Sequence, residues 1–300
     1  MENNANYKSG FVALIGRPNV GKSTLMNHLI GQKIAITSKK PQTTRNRICA
    51  VVNREGCQFV FLDTPGLHKA RTRLGDYMVK VVKESVADVD AVLLLVEPIP
   101  HIGGPEAELI RRIKELNVPA VLVINKIDTV EKEELLSVMQ VYGAAHDFAA
   151  IVPISAKRNE GVDELLGLLA QFLPEGPQLF PEDMVTDQPE RQVCAEIIRE
   201  KLLLCLDKEI PHGTAVEITT FSERDDGIID LDATIYCEKA SHKGIIIGKG
   251  GAMLKKISTL ARTDIEAFMG TKVFLQTWVK VKENWRDNMN LIKNFGYRDE

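Results

Sequence analysis

Eight residues, Gly16-Arg17-Pro18-Asn19-Val20-Gly21-Lys22-Ser23, lie between an unbroken apolar run at 11–15 and a segment at 25–29 with helical apolar spacing. They match GxxxxGK[ST] in the strand, loop, helix setting that gives this pattern its meaning. Such a loop turns main-chain N–H groups inward, and the helix behind it adds the positive end of its dipole. The result is a cradle for a phosphate chain. Lys22 is placed to reach the β- and γ-phosphates, and the hydroxyl of Ser23, with Thr24 beside it, to face Mg²⁺. A loop of this type requires a sheet edge, which restricts the fold to α/β.

The first half of the chain supplies that sheet. Solidly apolar runs at 59–62, 91–96, 120–124 and 151–154 are strands buried on both faces, as in a parallel sheet covered by helices. Between them, 74–89, 105–116, 131–142 and 162–172 carry apolar residues three and four apart. Residues 48–53 and the run from Gln58 are joined by Arg54-Glu55-Gly56, a hairpin that makes one edge strand antiparallel. The expected fold over 1–176 is a mostly parallel sheet with helices on both faces. Pro174, Pro177, Pro181 and Pro189 fall in a polar stretch that cannot be regular throughout, so 177–190 reads as a linker. Beyond it, 191–300 reads as an α+β unit: a helix at 191–206, strands at 214–221 and 228–236, a glycine-rich insert, a helix at 252–268, a strand at 272–282 and a last helix.

Three more motifs follow the first loop in order, each at a strand end. Asp63-Thr64-Pro65-Gly66 places Asp63 at the carboxyl edge of the sheet, where it can hold Mg²⁺ through water, with the Gly66 N–H near the γ-phosphate. Asn125-Lys126-Ile127-Asp128 selects the base. A carboxylate at Asp128 accepts from N1–H and the 2-amino group of guanine, a donor pair that adenine lacks. Asn125 ties the loops together and the Lys126 stem covers the ring. Ser155-Ala156-Lys157 offers a backbone N–H to the guanine O6. GTP and GDP are the expected ligands.

With these four motifs on residues 8–173, the sequence resembles a translation-factor-class GTPase. The resemblance implies a switch threonine that holds Mg²⁺ with Ser23 and Asp63. It aligns with Thr44 in Pro41-Gln42-Thr43-Thr44-Arg45, with Thr43 the alternate. The implied catalytic set is Lys22, Thr44, Asp63, Gly66 and Asn19. Many relatives carry a glutamine just after the DxxG glycine, whereas this chain has Leu67 followed by His68. An apolar side chain cannot orient a water, so intrinsic hydrolysis is expected to be slow. In the resembling subgroup an asparagine at the position of Asn19 helps to bind K⁺; the other reading of Asn19 is loop stabilisation.

The second unit carries Gly248-Lys249-Gly250-Gly251 between two helical segments, preceded by Ile245-Ile246-Ile247. A GxxG loop bridging two helices is the single-strand clamp of KH modules, and the extra helix and strand before the core fit one type of that module. The chain as a whole has 38 basic and 41 acidic residues and a formal charge of −3, which speaks against nucleic acid. That value is an average. Residues 182–238 hold fifteen acidic and five basic residues, and 239–293 hold eleven basic and four acidic. Lys243, Lys249, Lys255, Lys256 and Arg262 surround the loop and could form a phosphate track. On the strand at 272–282, Phe274 and Trp278 alternate with aliphatic residues; core packing is the favoured reading, base stacking the other.

A GTPase unit followed by a KH unit resembles the Era GTPases of bacteria. The resemblance implies binding of small-subunit (16S) ribosomal RNA near its 3′ end and assistance to small-subunit maturation. It also implies a cytoplasmic protein peripherally associated with the inner membrane; a monomer is expected. On the residues alone, a GTPase whose KH-like unit docks a protein or a membrane surface remains the rival. The five cysteines show no paired spacing and read as reduced thiols. No apolar run approaches the ~20 residues of a membrane span, and the first ten residues lack a secretory pattern.

Overall fold

The computed structural model describes residues 7–38, 40, 42–66, 72–85, 88–116 and 118–297. Leu67 and His68 lie outside the described residues. Those described fall into two compact units, the first within Met1–Gln32, Thr44–Lys69 and Met78–Asp187, the second within Lys33–Thr43, Ala70–Tyr77 and Gln188–Glu300.

The first unit is built on six strands, β1 (Lys8–Gly16), β2 (Ile48–Arg54), β3 (Cys57–Asp63), β4 (Ala91–Val96), β5 (Ala120–Ile124) and β6 (Ala150–Pro153). They lie in the order β2-β3-β1-β4-β5-β6. Only β2 and β3 are antiparallel, as the hairpin at 48–63 requires. The helices along this part of the chain are α1 (Lys22–Ile30), α2 (Arg73–Glu84), α3 (Gly104–Leu116), α4 (Lys132–Ala145) and α5 (Val162–Leu169). Alternate strand residues such as Ala13, Ile15, Val60, Leu94 and Ile124 share a core with Leu109 and Ile113 of α3 and Val138 and Tyr142 of α4. The residues between them, including Leu14, Phe61, Leu93 and Val123, are just as buried. That double burial is why these strands read as unbroken apolar runs. Helix α5 stops at Leu169, three residues short of the predicted end, and the chain continues there as turns.

The proline-rich stretch is more ordered than the word linker suggests. The Gln58 side chain accepts from Leu179 and Phe180 N–H and donates to the Phe180 carbonyl, each at 2.9 Å. Val51 N–H donates to the Val185 carbonyl at 3.0 Å, and Thr186 Oγ1 to the Cys49 carbonyl at 2.7 Å. The segment is laid along the antiparallel edge, whose exposed backbone groups would otherwise invite pairing with another chain.

In the second unit α6 (Glu190–Cys205) is followed by β7 (Ala215–Glu223), β8 (Ile229–Cys237), α7 (Ala240–Ile247), α8 (Ala252–Met269), β9 (Val273–Val281) and α9 (Met289–Asn294). The sheet order is β7-β8-β9, antiparallel in the first pair and parallel in the second. Val193 and Ile197 of α6, Ile246 of α7 and Ile257, Ala261 and Ile265 of α8 pack on Leu231, Ala233, Ile235, Val273 and Val279 of the sheet. Phe274 and Trp278 do not join this core. They remain 48% and 45% exposed, because Val273, Leu275, Val279 and Val281 already fill the helix side of β9. All five cysteines are free and four are buried. Among the described residues no helix is long and apolar enough to cross a membrane.

Candidate functional site

The parallel strands end level with one another, with Asp63 beside Leu14, Gly16 beside Leu95 and Ile124 beside Pro153. Every motif of the first unit therefore opens on the carboxyl edge of the sheet. Lys22 begins α1 and is almost fully buried; its Nζ donates to the carbonyls of Gly16 at 3.0 Å and Arg17 at 2.9 Å. Burial pulls its pKa down to about 8, against the pull of the Asp63 carboxylate. An ammonium so placed gains from any anion brought into the loop.

Asp63 is completely buried. Ser23 Oγ donates to its Oδ2 at 2.7 Å, Thr44 Oγ1 reaches the same oxygen at 3.4 Å, and the two hydroxyls are 3.1 Å apart. Burial raises the Asp63 pKa, while Lys22, the two hydroxyls and the Thr64 N–H oppose the rise. Its other oxygen, Oδ1, is buried with no hydrogen-bond partner. Thr43, the alternate switch threonine, instead donates its hydroxyl to the Lys40 carbonyl within the second unit. Thr64 is fully buried and donates to the Leu14 carbonyl at 2.9 Å, which fixes the end of β3 against β1. Gly66 lies against the phosphate loop: a Cβ there would fall 2.6 Å from Pro18 N and 2.8 Å from Pro18 Cα.

The base-reading loops are bound together by Asn125. Its amide donates to the Val20 carbonyl at 2.8 Å and accepts from Ala156 N–H at 2.9 Å. Lys126, in a left-handed backbone conformation, donates to the Asn19 carbonyl at 2.7 Å and pairs with Glu97. Ser155 Oγ donates to Asp128 Oδ1 at 2.7 Å, and Arg158 is 3.8 Å from Oδ2. The Ser155 hydrogen bond, helped by the charges of Arg158 and Lys157, holds the Asp128 carboxyl below its ordinary range. It is thus ionised and already oriented. In Ser155-Ala156-Lys157 the first N–H is taken by the Glu160 carbonyl and the second by Asn125, which leaves that of Lys157 for a ligand.

Sequence reasoning missed two features here. One is the Ser155 hydroxyl, whose partner lies 27 residues away. The other is Glu97, just past the end of β4, which pairs with both Lys126 and Arg17. A carboxylate at a strand end on the loaded edge was the signal available for it.

In the second unit Gly248 closes α7 and a short turn at Lys249–Gly251 leads into α8. Lys243, Lys249, Lys255, Lys256 and Arg262 are all exposed. Lys255 and Arg262, seven apart, share a face of α8, whereas Lys256 is turned about 100° from Lys255 by helix geometry. Ile245 stands half exposed beside the loop. A Cβ at Gly250 would meet nothing within 4 Å.

A phosphate loop, a DxxG segment and a guanine-reading pair on the carboxyl edge of a parallel sheet define a P-loop GTPase domain, and the second unit is a KH domain. Family models agree: one described as a 50S ribosome-binding GTPase matches residues 11–126, and a KH model matches 209–286. The chain is 54% identical to the GTPase Era of Ruminiclostridium cellulolyticum over 97% of its own length and 98% of that protein. It is 52% identical to the GTPase Era of Clostridioides difficile, over 98% and 100%. A crystal structure of an Aquifex aeolicus Era variant bound to GDP·AlF4⁻ superposes with a TM-score of 0.94 at 39% identity, covering 97% of this chain and all of that one. A second, Era with MgGDPNP and nucleotides 1506–1542 of 16S ribosomal RNA, gives 0.94 at 38% identity, covering 98% and 100%. The chain belongs to the Era GTPase family and is a GTPase.

Proposed function

We propose that the protein is a guanine-nucleotide switch that binds the 3′ end of small-subunit ribosomal RNA through its KH domain and assists small-subunit assembly and rRNA maturation. The observation that carries this reading is the pairing, in one chain, of an ionised and prealigned Asp128 with an open glycine loop ringed by exposed Lys243, Lys249, Lys255, Lys256 and Arg262. The near-full-length likeness to an Era crystallised with 16S RNA supports the RNA reading over a protein- or membrane-docking one.

Guanine is read by Asp128 through N1–H and the 2-amino group, with the Lys157 N–H toward O6 and the Lys126 stem over the ring. Gly16 to Ser23 surround the phosphates, and Lys22 turns from the Gly16 and Arg17 carbonyls to the β- and γ-phosphates. The buried unpartnered Asp63 Oδ1, beside the Ser23 and Thr44 hydroxyls, is a hard oxygen set that fits Mg²⁺. Bound there, Mg²⁺ would neutralise phosphate charge. Thr44 and Gly66 sense the γ-phosphate, so its loss on hydrolysis frees both segments. Hydrolysis is slow without a partner because position 67 is leucine. Asn19, exposed in the loop, is the residue through which K⁺ would add charge; equal rates in K⁺ and Na⁺ would remove that role. The protein is a cytoplasmic monomer with peripheral attachment to the inner membrane.

The test is binding of a synthetic RNA copying the 16S 3′ end to the full chain loaded with GDPNP or with GDP. Salt-sensitive, nucleotide-dependent affinity is expected. RNA affinity that is absent, or indifferent to salt, would refute the assignment.

A further inference from the structure

The KH sheet has two faces of opposite character. Odd-numbered residues of β8, Leu231, Ala233 and Ile235, face the helices. Even-numbered ones, Asp230, Asp232, Thr234 and Tyr236, lie opposite Phe274, Gln276, Trp278 and Lys280 of β9 on the other face. At one end this outer face is closed. Tyr236 packs on Phe295 with ring centroids 4.7 Å apart, and Phe295 packs in turn on the fully buried Trp285. At the other end it is open, and Phe274 and Trp278 are each nearly half exposed.

Charge distinguishes this open end from the glycine loop. While Glu217 lies at the closed end, accepting from the Tyr236 hydroxyl at 2.8 Å, around the open end the β7–β8 hairpin carries Glu223, Asp225, Asp226, Asp230 and Asp232 against the single Arg224. A phosphate backbone would be repelled there and a cationic segment attracted. The protein itself shows how a guanidinium is held on this surface. Arg224 lies 5.2 Å from the centroid of the Phe274 ring while its Nε donates to Asp230 Oδ2 at 2.7 Å. Ring and carboxylate act on one cation, each adding to the other. Trp278, four residues beyond Phe274 on the same face, has Thr234 as its direct partner and finds its carboxylate in Asp232 instead. Asp232 is register partner to Gln276 and therefore diagonal to Trp278, within reach of a long side chain. Among the described residues the Asp232 carboxylate has no ion pair, and tryptophan is the strongest of the aromatic cation acceptors.

We propose that the outer face of the KH sheet docks a basic, arginine-containing peptide segment, with one guanidinium seated on Trp278 against Asp232 as Arg224 is seated on Phe274. The partner is thus a protein with a cationic tail, held on the face opposite the RNA-binding helices.

The chain has only two tryptophans, one buried, so emission from Trp278 reports directly on this face. The full chain with GDP is titrated at physiological ionic strength with a nine-residue peptide alternating arginine and serine, and with its lysine counterpart of equal charge. Arginine peptide should alter the emission and bind at least about five-fold more tightly than lysine peptide. Asp232→Asn should weaken it by at least about three-fold, and Trp278→Phe should retain part of the affinity that Trp278→Ala loses, followed by anisotropy of a labelled peptide. Equal binding of the two peptides, or no effect of Asp232→Asn, would overturn the proposal. So would a Trp278→Ala effect confined to affinity for the 16S 3′-end RNA, which would make this a base-stacking face. A sedimenting dimer broken by Trp278→Ala would assign the face to a second copy instead.

Discussion

A methyl group added at Gly66 would lie 2.6 Å from the backbone nitrogen of Pro18, whereas one added at Gly250 would meet nothing within 4 Å. Both glycines belong to motif loops, Gly66 to the DxxG segment of the GTPase domain and Gly250 to the GxxG turn of the KH domain, yet their surroundings differ. At Gly66 the space is already filled by the protein, which packs the DxxG segment onto the phosphate loop. At Gly250 the space is open, and in the proposed function RNA approaches there. The nucleotide site is thus a cage whose parts grip one another: Asn125 on Val20 and Ala156, Ser155 on Asp128, Ser23 and Thr44 on Asp63. The glycine loop is an open surface that, in the proposed function, RNA completes. Substitutions should accordingly damage the first through geometry and the second through steric and charge exclusion of RNA.

The largest effect should come from the base reader. Asp128→Asn replaces two acceptors by an acceptor and a donor, so GTP selectivity should fall by about 10³- to 10⁴-fold, with xanthosine triphosphate becoming the better ligand. Competition binding measures this, and unchanged selectivity would overturn the base assignment. Gly66→Ala follows. The clash is with backbone, which yields little, and a displacement near 1 Å at the reacting phosphate should slow hydrolysis by about 10²-fold at saturating GTP. A rate near that of the parent would show that the cage has slack.

Gly250→Asp tests the other side of the contrast. The position has φ of 59° and open surroundings, a conformation aspartate tolerates better than most residues. At Gly248, by comparison, a Cβ would lie 2.7 Å from that of Met253, and loss of binding there could reflect a broken loop. A carboxylate at 250 should repel the RNA backbone and weaken binding by about ten-fold or more at moderate salt, while GTP affinity is retained. Retained RNA affinity would sink the clamp.

The same contrast explains what the amino-acid sequence discloses. Strands buried on both faces are written as unbroken apolar runs, so the order of elements, the antiparallel edge and the four nucleotide motifs were legible. Contacts made by backbone groups were not. Nothing in Pro174 to Pro189 announces that Val185 and Phe180 will bond to β2 and Gln58. The exposed pair Phe274 and Trp278 failed for another reason. A strand that carries Val and Leu on one face and Phe and Trp on the other fits two packings, and only the helices decide which face is covered.

The smallest of the expected effects probes the grip inside the cage. Ser155 contributes its hydroxyl to Asp128 Oδ1, and this bond is the largest cause of the lowered Asp128 pKa. Ser155→Ala leaves Asp128 and the Lys157 N–H in place and removes the hydroxyl's bond to Asp128 together with the longer one it accepts from Arg158 N–H, so GTP affinity at neutral pH should fall only about two- to ten-fold. Its signature is in the acid limb. A carboxyl with a depressed pKa is ionised above that value, and guanine binding is lost as pH falls through it. Without Ser155 the pKa rises toward its ordinary value, so the loss begins at a higher pH and the gap between parent and variant widens in the interval between the two pKa values. Titrating binding of a fluorescent GDP against pH distinguishes this from mere loosening of the loop, which would lower affinity by a constant factor at every pH.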